Sequence, residues 1–194
     1  MTQRIVYFDL ETGGLDTRHP DIQLAAIATE DLVEIDVFEA KIEFDAAKAD
    51  PEALKINSYD EKRWQKQAQP ERIVVATFAA FLNKHATLER VAKGSGRPYK
   101  VARLAGHNVL SFDAPRLLAL FKRHGAFLPA DAFRPLDTLQ LASWSAARLG
   151  IEPTNYKLST LCETFGIDTA GAHDALADVR MSLDLTRTLF EKLR

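Results

Sequence analysis

Apolar residues along this chain recur with two periods, one belonging to strands and one to helices. The run Ile5-Val6-Tyr7-Phe8 is short, β-favouring and followed by Gly13-Gly14, the pattern of a buried strand. Residues 23–29 and 35–44 predict two further strands, the second alternating through Ile35, Val37, Ile42 and Phe44, so the three are placed to form an antiparallel meander. From Asp50 the period changes. Asp50-Pro51-Glu52 is a cap with proline at the first helical position, and a short helix follows to about Ile56, broken at Asn57-Ser58-Tyr59-Asp60. Pro70-Glu71 opens a longer amphipathic helix ending near His85, with Ile73, Val74, Thr77, Phe78, Phe81 and Leu82 on one stripe. Residues 101–105 predict a strand, and a helix starting at Phe112 or Asp113 runs to Gly125. Residues 135–138 predict a last short strand. Helices over 139–149, 159–165 and 172–192 follow, the first two closed by Gly150 and Gly166. Strands first, then strands interleaved with helices, make an α/β fold with a mixed sheet covered by helices. No repeat, low-complexity tract or composition break divides it, so residues 1–194 read as one domain.

Composition changes this picture little: 46% of residues are apolar and 27% charged, as in an ordinary globular protein. The single cysteine, Cys162, excludes an internal disulfide framework and a cysteine-based zinc site, and its place on an expected helix suits a buried thiol. The first residues are too polar for a signal peptide and no stretch approaches a membrane span, so a cytoplasmic protein with no membrane partner is the expectation. Charge adds more. Residues 1–60 carry 14 acids against 5 Lys and Arg, whereas the rest carries 13 acids against 20. An acidic edge beside a basic remainder suits a polyanion held near cations, although charges also cluster on solvated faces without purpose. The segment 90–103 holds five basic residues and no acid around Gly94-Ser95-Gly96-Arg97-Pro98, which reads as a flexible loop. It either tracks a nucleic-acid backbone or is simply solvated.

Candidate chemistry begins where the first strand ends. Asp9 and Glu11 lie two residues apart and so point to one face, where paired carboxylates repel and lose solvation unless cations compensate them. A hard metal ion is the simplest such cation. Asp113 precedes Ala114-Pro115 and alone reads as a helix cap. Asp178 shares a helix face with Met181, Ser182, Leu185 and Leu189, beside the main stripe of Leu176, Val179, Leu183 and Phe190; an arginine partner would satisfy it as well as a metal would. His173, five residues earlier, falls off that face and belongs on the preceding loop or first turn, where solvent reaches it. Four carboxylates and a histidine, each at the end of an element, are what a pair of divalent ions and a base for water require.

Three motifs give a family. Phe8-Asp9-Leu10-Glu11-Thr12-Gly13-Gly14-Leu15, Gly106-His107-Asn108 with Phe112-Asp113, and His173-Asp174-Ala175-Leu176-Ala177-Asp178 resemble the three exonuclease motifs of the DnaQ-like 3′–5′ exonucleases, His-bearing DEDD subclass. Lys157-Leu158-Ser159-Thr160-Leu161 and Asp50-Pro51-Glu52-Ala53-Leu54-Lys55-Ile56-Asn57 are similar to further family segments. The resemblance implies an RNase H-like fold, a mixed five-stranded sheet flanked by helices, and a 3′–5′ exonuclease releasing nucleoside monophosphates. It implies that Asp9, Glu11, Asp113 and Asp178 hold two Mg²⁺ or Mn²⁺ ions and that His173 deprotonates the attacking water. Two ions ~4 Å apart suit an in-line displacement at phosphorus, and an imidazole titrates near neutral pH. Thr12, Leu15, Ile56, Asn57, Asn108 and Phe112 would line the nucleotide pocket, Leu15 and Ile56 wedging the base and Phe112 packing near the sugar. Single-stranded DNA 3′ ends are the expected partner. A role in repair, RNA or short oligoribonucleotides as substrate, a proofreading role beside a polymerase, and a homodimer all stay open. Asp137 matches an acidic family position outside the ligand set and reads as a helix cap or a support.

Overall fold

The computed structural model describes residues 4–194. In chain order its strands are β1 (Arg4–Thr12), β2 (Asp21–Glu30), β3 (Val33–Lys41), β4 (Leu88–Val91), β5 (Pro98–Val101), β6 (Leu104–Gly106) and β7 (Leu136–Asp137). Seven α-helices stand among the described residues: α1 (Pro51–Ile56), α2 (Glu61–Gln67), α3 (Glu71–Lys84), α4 (Asp113–Arg123), α5 (Thr138–Leu149), α6 (Leu158–Phe165) and α7 (Ala175–Lys192). The main sheet has the order β3-β2-β1-β6-β7. Its first three strands form the expected antiparallel meander, and β6 and β7 add in parallel on the other side of β1. This is the five-stranded mixed sheet, covered by helices, that the sequence implied.

Strand alternation sorts β1 between two cores. Val6, Phe8 and Leu10 pack with Val74, Phe78 and Leu82 of α3 and with Leu117, Leu120 and Phe121 of α4. Ile5 and Tyr7 face the other way, onto Val179 and Leu183 of α7. Asp9 and Glu11 have the parity of Ile5 and Tyr7, which directs them to the layer containing α7. The far side of α7 is covered as well, by α5 and α6 through Ala142, Leu161 and Phe165 on Leu185 and Leu189. Each large side chain so enclosed stabilises the fold by about 1.5–3 kcal/mol relative to exposure. Cys162 is buried there, and burial pushes its thiol up to about 12, so it is an inert packing group.

Three expectations need correction. In β3, Ile35 and Val37 are exposed while Phe38 packs on Phe78 and Phe81 of α3. On α3, Val75 is buried in place of Ile73 and Thr77, whose hydroxyl bonds back to Ile73 O at 2.9 Å. Finally, α7 starts at Ala175 after the cap Asp174, and Phe190 is 46% exposed whereas Met181, Ser182, Leu185 and Leu189 are buried under α5 and α6. The segment 90–103 is likewise no simple loop. It folds into the β4–β5 hairpin, with Leu88 opposite Val101 and Arg90 opposite Tyr99.

One buried ion pair fixes the loop that leaves β1. Arg116 on α4 sends Nε to Asp21 Oδ1 (2.9 Å), and its other nitrogens donate to Asp16 O (3.2 Å) and His19 O (2.8 Å). Arg123 adds a second nitrogen to Asp21, at 3.1 Å. The Arg116 and Asp21 side chains are 6% and 2% exposed, so removing one strands the other in a dry site. Arg116→Ala is expected to lower stability by about 3 kcal/mol, the low end for a broken buried pair because Arg123 remains. Urea unfolding measures it; a loss below about 1 kcal/mol would show that Asp21 is relieved another way.

Candidate active site

The site forms where β6 stops short of β1. The Val6 N–H donates to Arg103 O at 2.8 Å, but beyond the pair Tyr7–Ala105 no strand covers this edge of β1. Four residues on, the Leu10 N–H, which points the same way, donates to Asp113 Oδ1 at 3.1 Å. A carboxylate from the first turn of α4 thus occupies the place of the next β6 carbonyl. The turn between them is tight. A Cβ on Gly106 would lie 2.6 Å from Phe8 O, and Asn108 is held in the left-handed region (φ 54°). Asp137 secures this turn, accepting from the Asn108 and Leu110 N–H groups at 3.0 and 3.1 Å while capping α5 through Leu139 N–H at 3.0 Å.

From the other layer, α7 brings Asp178 across to β1. One carboxylate oxygen each from Asp9, Glu11 and Asp178 lie within 4.8 Å of one another. His173 sits just before the helix with φ 71°, its N–H donating to Asp178 Oδ1 at 3.3 Å while its ring stands exposed to solvent. Asp9, Glu11, Asp113, Asp178 and His173 line one cleft of about 590 Å³, with Asn108 and Phe112 on its wall. The remaining expected pocket residues are placed differently and do not line it. The Thr12 hydroxyl donates to Gly14 O (2.9 Å) within the turn after β1, and Asn57 Nδ2 donates to Thr12 O (3.0 Å), which ties the end of α1 to β1. Leu15 and Ile56 project from that loop and helix, 87% and 53% exposed.

Four acids so placed oppose their own ionisation. Burial first, and then the charges of Asp113, Glu11, Asp178 and Asp174, hold Asp9 well above the usual carboxylate range. Burial with Asp178 and Asp174 lifts Glu11 to about 7. Burial lifts Asp113 to about 8 against the pull of the Leu10 N–H, and lifts Asp178 to about 6 against that of the His173 N–H. Hard oxygen donors on two strand positions and two helix ends, without enough positive charge to neutralise them, fit a divalent cation. These groups bind protons in the folded protein that the unfolded chain, with carboxyls near 4, has released, so metal-free stability declines as pH rises. The Tm in EDTA is expected to fall between about pH 5 and pH 8, and saturating Mn²⁺ or Mg²⁺ to raise it more at pH 8 than at pH 5. An equal metal-induced rise at both values would contradict this.

Three supporting groups escaped the sequence reading in part or whole. Asp137 was legible as a cap, but not its bonds to Asn108 and Leu110, almost thirty residues away. His107 bridges Thr138 Oγ1 (3.0 Å) and Tyr156 O (2.9 Å), pinning the segment before α6 to the cleft wall, and burial lowers its pKa. Asp174 caps α7 and accepts from Gln23 Nε2 at 3.3 Å, joining β2 to the helix that carries Asp178. Only the helix-start pattern of Asp137 and Asp174 could have signalled these roles.

The acidic cleft thus lies at the edge of β1 that β6 leaves open in the five-stranded mixed sheet. The chain belongs to the RNase T exonuclease family, whose model, described as Exonuclease, matches residues 6–186. Protein NEN2 of Arabidopsis thaliana is 32% identical over 83 residues, 43% of this chain and 16% of that protein. The fold is that of exonuclease I, with TM-score 0.76 and 19% identity over 97% of this chain and 41% of that one. Escherichia coli exonuclease I in complex with a dT13 oligonucleotide gives 0.74 and 20%, over 97% and 41% respectively. A product-bound form of exonuclease I gives 0.75 and 18%, over 98% and 44%. The chain therefore spans less than half of these proteins. Among the described residues no helix is long and apolar enough to cross a membrane.

Proposed function

We propose that residues 1–194 act as a single 3′–5′ exonuclease domain that removes nucleoside 5′-monophosphates from single-stranded DNA ends. The observation that carries this reading is the cleft where Asp9, Glu11 and Asp178 converge, with Asp113 and the exposed His173 on its walls. Asp9, Glu11, Asp113 and Asp178 would hold two divalent ions, Mg²⁺ or Mn²⁺. Bound there, they would neutralise charge developing on the attacking and leaving oxygens. His173 takes a proton from water as its oxygen bonds to phosphorus and the bond to the 3′ oxygen breaks. Its backbone N–H, bonded to Asp178, holds the His173 backbone beside the carboxylates. Leu15 and Ile56, exposed on segments that Arg116 and Asn57 anchor, would wedge against the terminal base, and Phe112 and Asn108 would meet the sugar.

The dT13 bound by Escherichia coli exonuclease I supports a single-stranded DNA substrate. RNA differs by its 2′-OH, and the comparison that tests the choice sets matched DNA and RNA oligonucleotides side by side. Faster release of nucleotides from DNA is expected; faster release from RNA would make the enzyme an exoribonuclease acting through the same site.

A further inference from the structure

The β4–β5 hairpin lies outside the catalytic cleft and borders a second groove. Arg90, Tyr99 and Val101 turn one face of the hairpin toward the end of α4, and the segment after α4 closes a groove of about 710 Å³. Large aromatic rings stand in the open there: Phe133 is 79% exposed, Phe127 67% and Tyr99 38%, the last two in edge contact with centroids 6.1 Å apart. Rings this size are costly to leave in water unless something covers them. The groove is also cationic. Arg90, Lys93, Lys122 and Arg134 line it against one acid, Asp131, which is occupied by Arg90 and, at 3.7 Å, by Arg134. Lys93 and Lys122 form no ion pair among the described residues. Exposed rings interleaved with unpaired cations are the chemistry of a single-stranded nucleic acid, whose bases stack while its phosphates attract lysine.

We propose that this groove binds the single strand upstream of the 3′ end being cut. The placement fits: Asp113 opens α4 and Lys122 lies nine residues further, about 13.5 Å along the helix axis at 1.5 Å per residue. A strand entering the cleft by its 3′ end would lay its next nucleotides along this helix. The inference rests on the exonuclease reading for its substrate but is tested apart from cleavage. Binding of labelled dT₂₀ and dT₃ is measured by fluorescence anisotropy in EDTA. Phe127→Ala/Phe133→Ala, at exposed positions, is expected to raise the Kd for dT₂₀ about 10- to 100-fold and to leave that for dT₃ unchanged. Lys93→Ala/Lys122→Ala is expected to reduce the slope of log Kd against log salt by about 1.4, at about 0.7 per phosphate neutralised. An unchanged Kd for dT₂₀ in both variants overturns the proposal, and so does a dimer that dissociates in the phenylalanine variant with Kd unaltered, which would make the groove an interface between copies. Groove-dependent binding without cleavage of DNA or RNA would sink the exonuclease reading alone; cleavage with groove-independent binding would sink this one.

Discussion

Asp9→Asn is expected to abolish hydrolysis and, in the same protein, to raise stability without metal. Asp9 stands on a buried strand with Asp113, Glu11, Asp178 and Asp174 all opposing its charge. Replacing it with a neutral isostere removes that repulsion and one ligand together. Loss of a group that fixes charge stabilisation at phosphorus costs on the order of 10³-fold or more in kcat. The Tm in EDTA should rise, by about 2–4 °C per kcal/mol gained in a chain of this size, and its decline between pH 5 and pH 8 should flatten. Activity lost together with stability would instead mark Asp9 as a structural residue. This trade of stability for function is the expected signature of a catalytic cluster.

His173→Asn should lower kcat by about 10²- to 10⁴-fold, the usual contribution of a positioned proton acceptor. Asparagine tolerates the left-handed backbone at φ 71° and keeps the N–H that bonds Asp178, so the variant removes the base and leaves its setting. Strand KM and the Mn²⁺ titration should stay near wild type while kcat collapses. His173→Gly also suits this backbone, and added imidazole should recover part of its activity. Unchanged kcat in His173→Asn would transfer the role of base to another group.

Much of this was legible before the fold was known, and the reasons differ by residue. Period-two spacing at the end of β1 put Asp9 and Glu11 on one face, and β1 keeps its pairing with β2 as far as Thr12. The three exonuclease motifs named the fold. Side-chain placement was harder wherever a second layer intervened. Nothing local says that α5 and α6 cover the flank of α7, which is why Leu185 and Leu189 are buried and Phe190 is half exposed. The β4–β5 hairpin read as loop because its glycine-rich turn dominates a segment with only four residues in each strand. Contacts across distant segments, such as Arg116 to the loop at Asp16 and His19, follow from topology and leave no mark in the sequence.

The most direct measurement uses single-stranded DNA labelled at the 3′ or the 5′ end, with Mg²⁺, Mn²⁺ or EDTA, and Asp9→Asn alongside. Early release of the 3′ label as a mononucleotide, a descending ladder from the 5′-labelled strand, and silence in EDTA and in the variant are the predicted result. Early release of the 5′ label, internal cuts, or full activity in EDTA would contradict it.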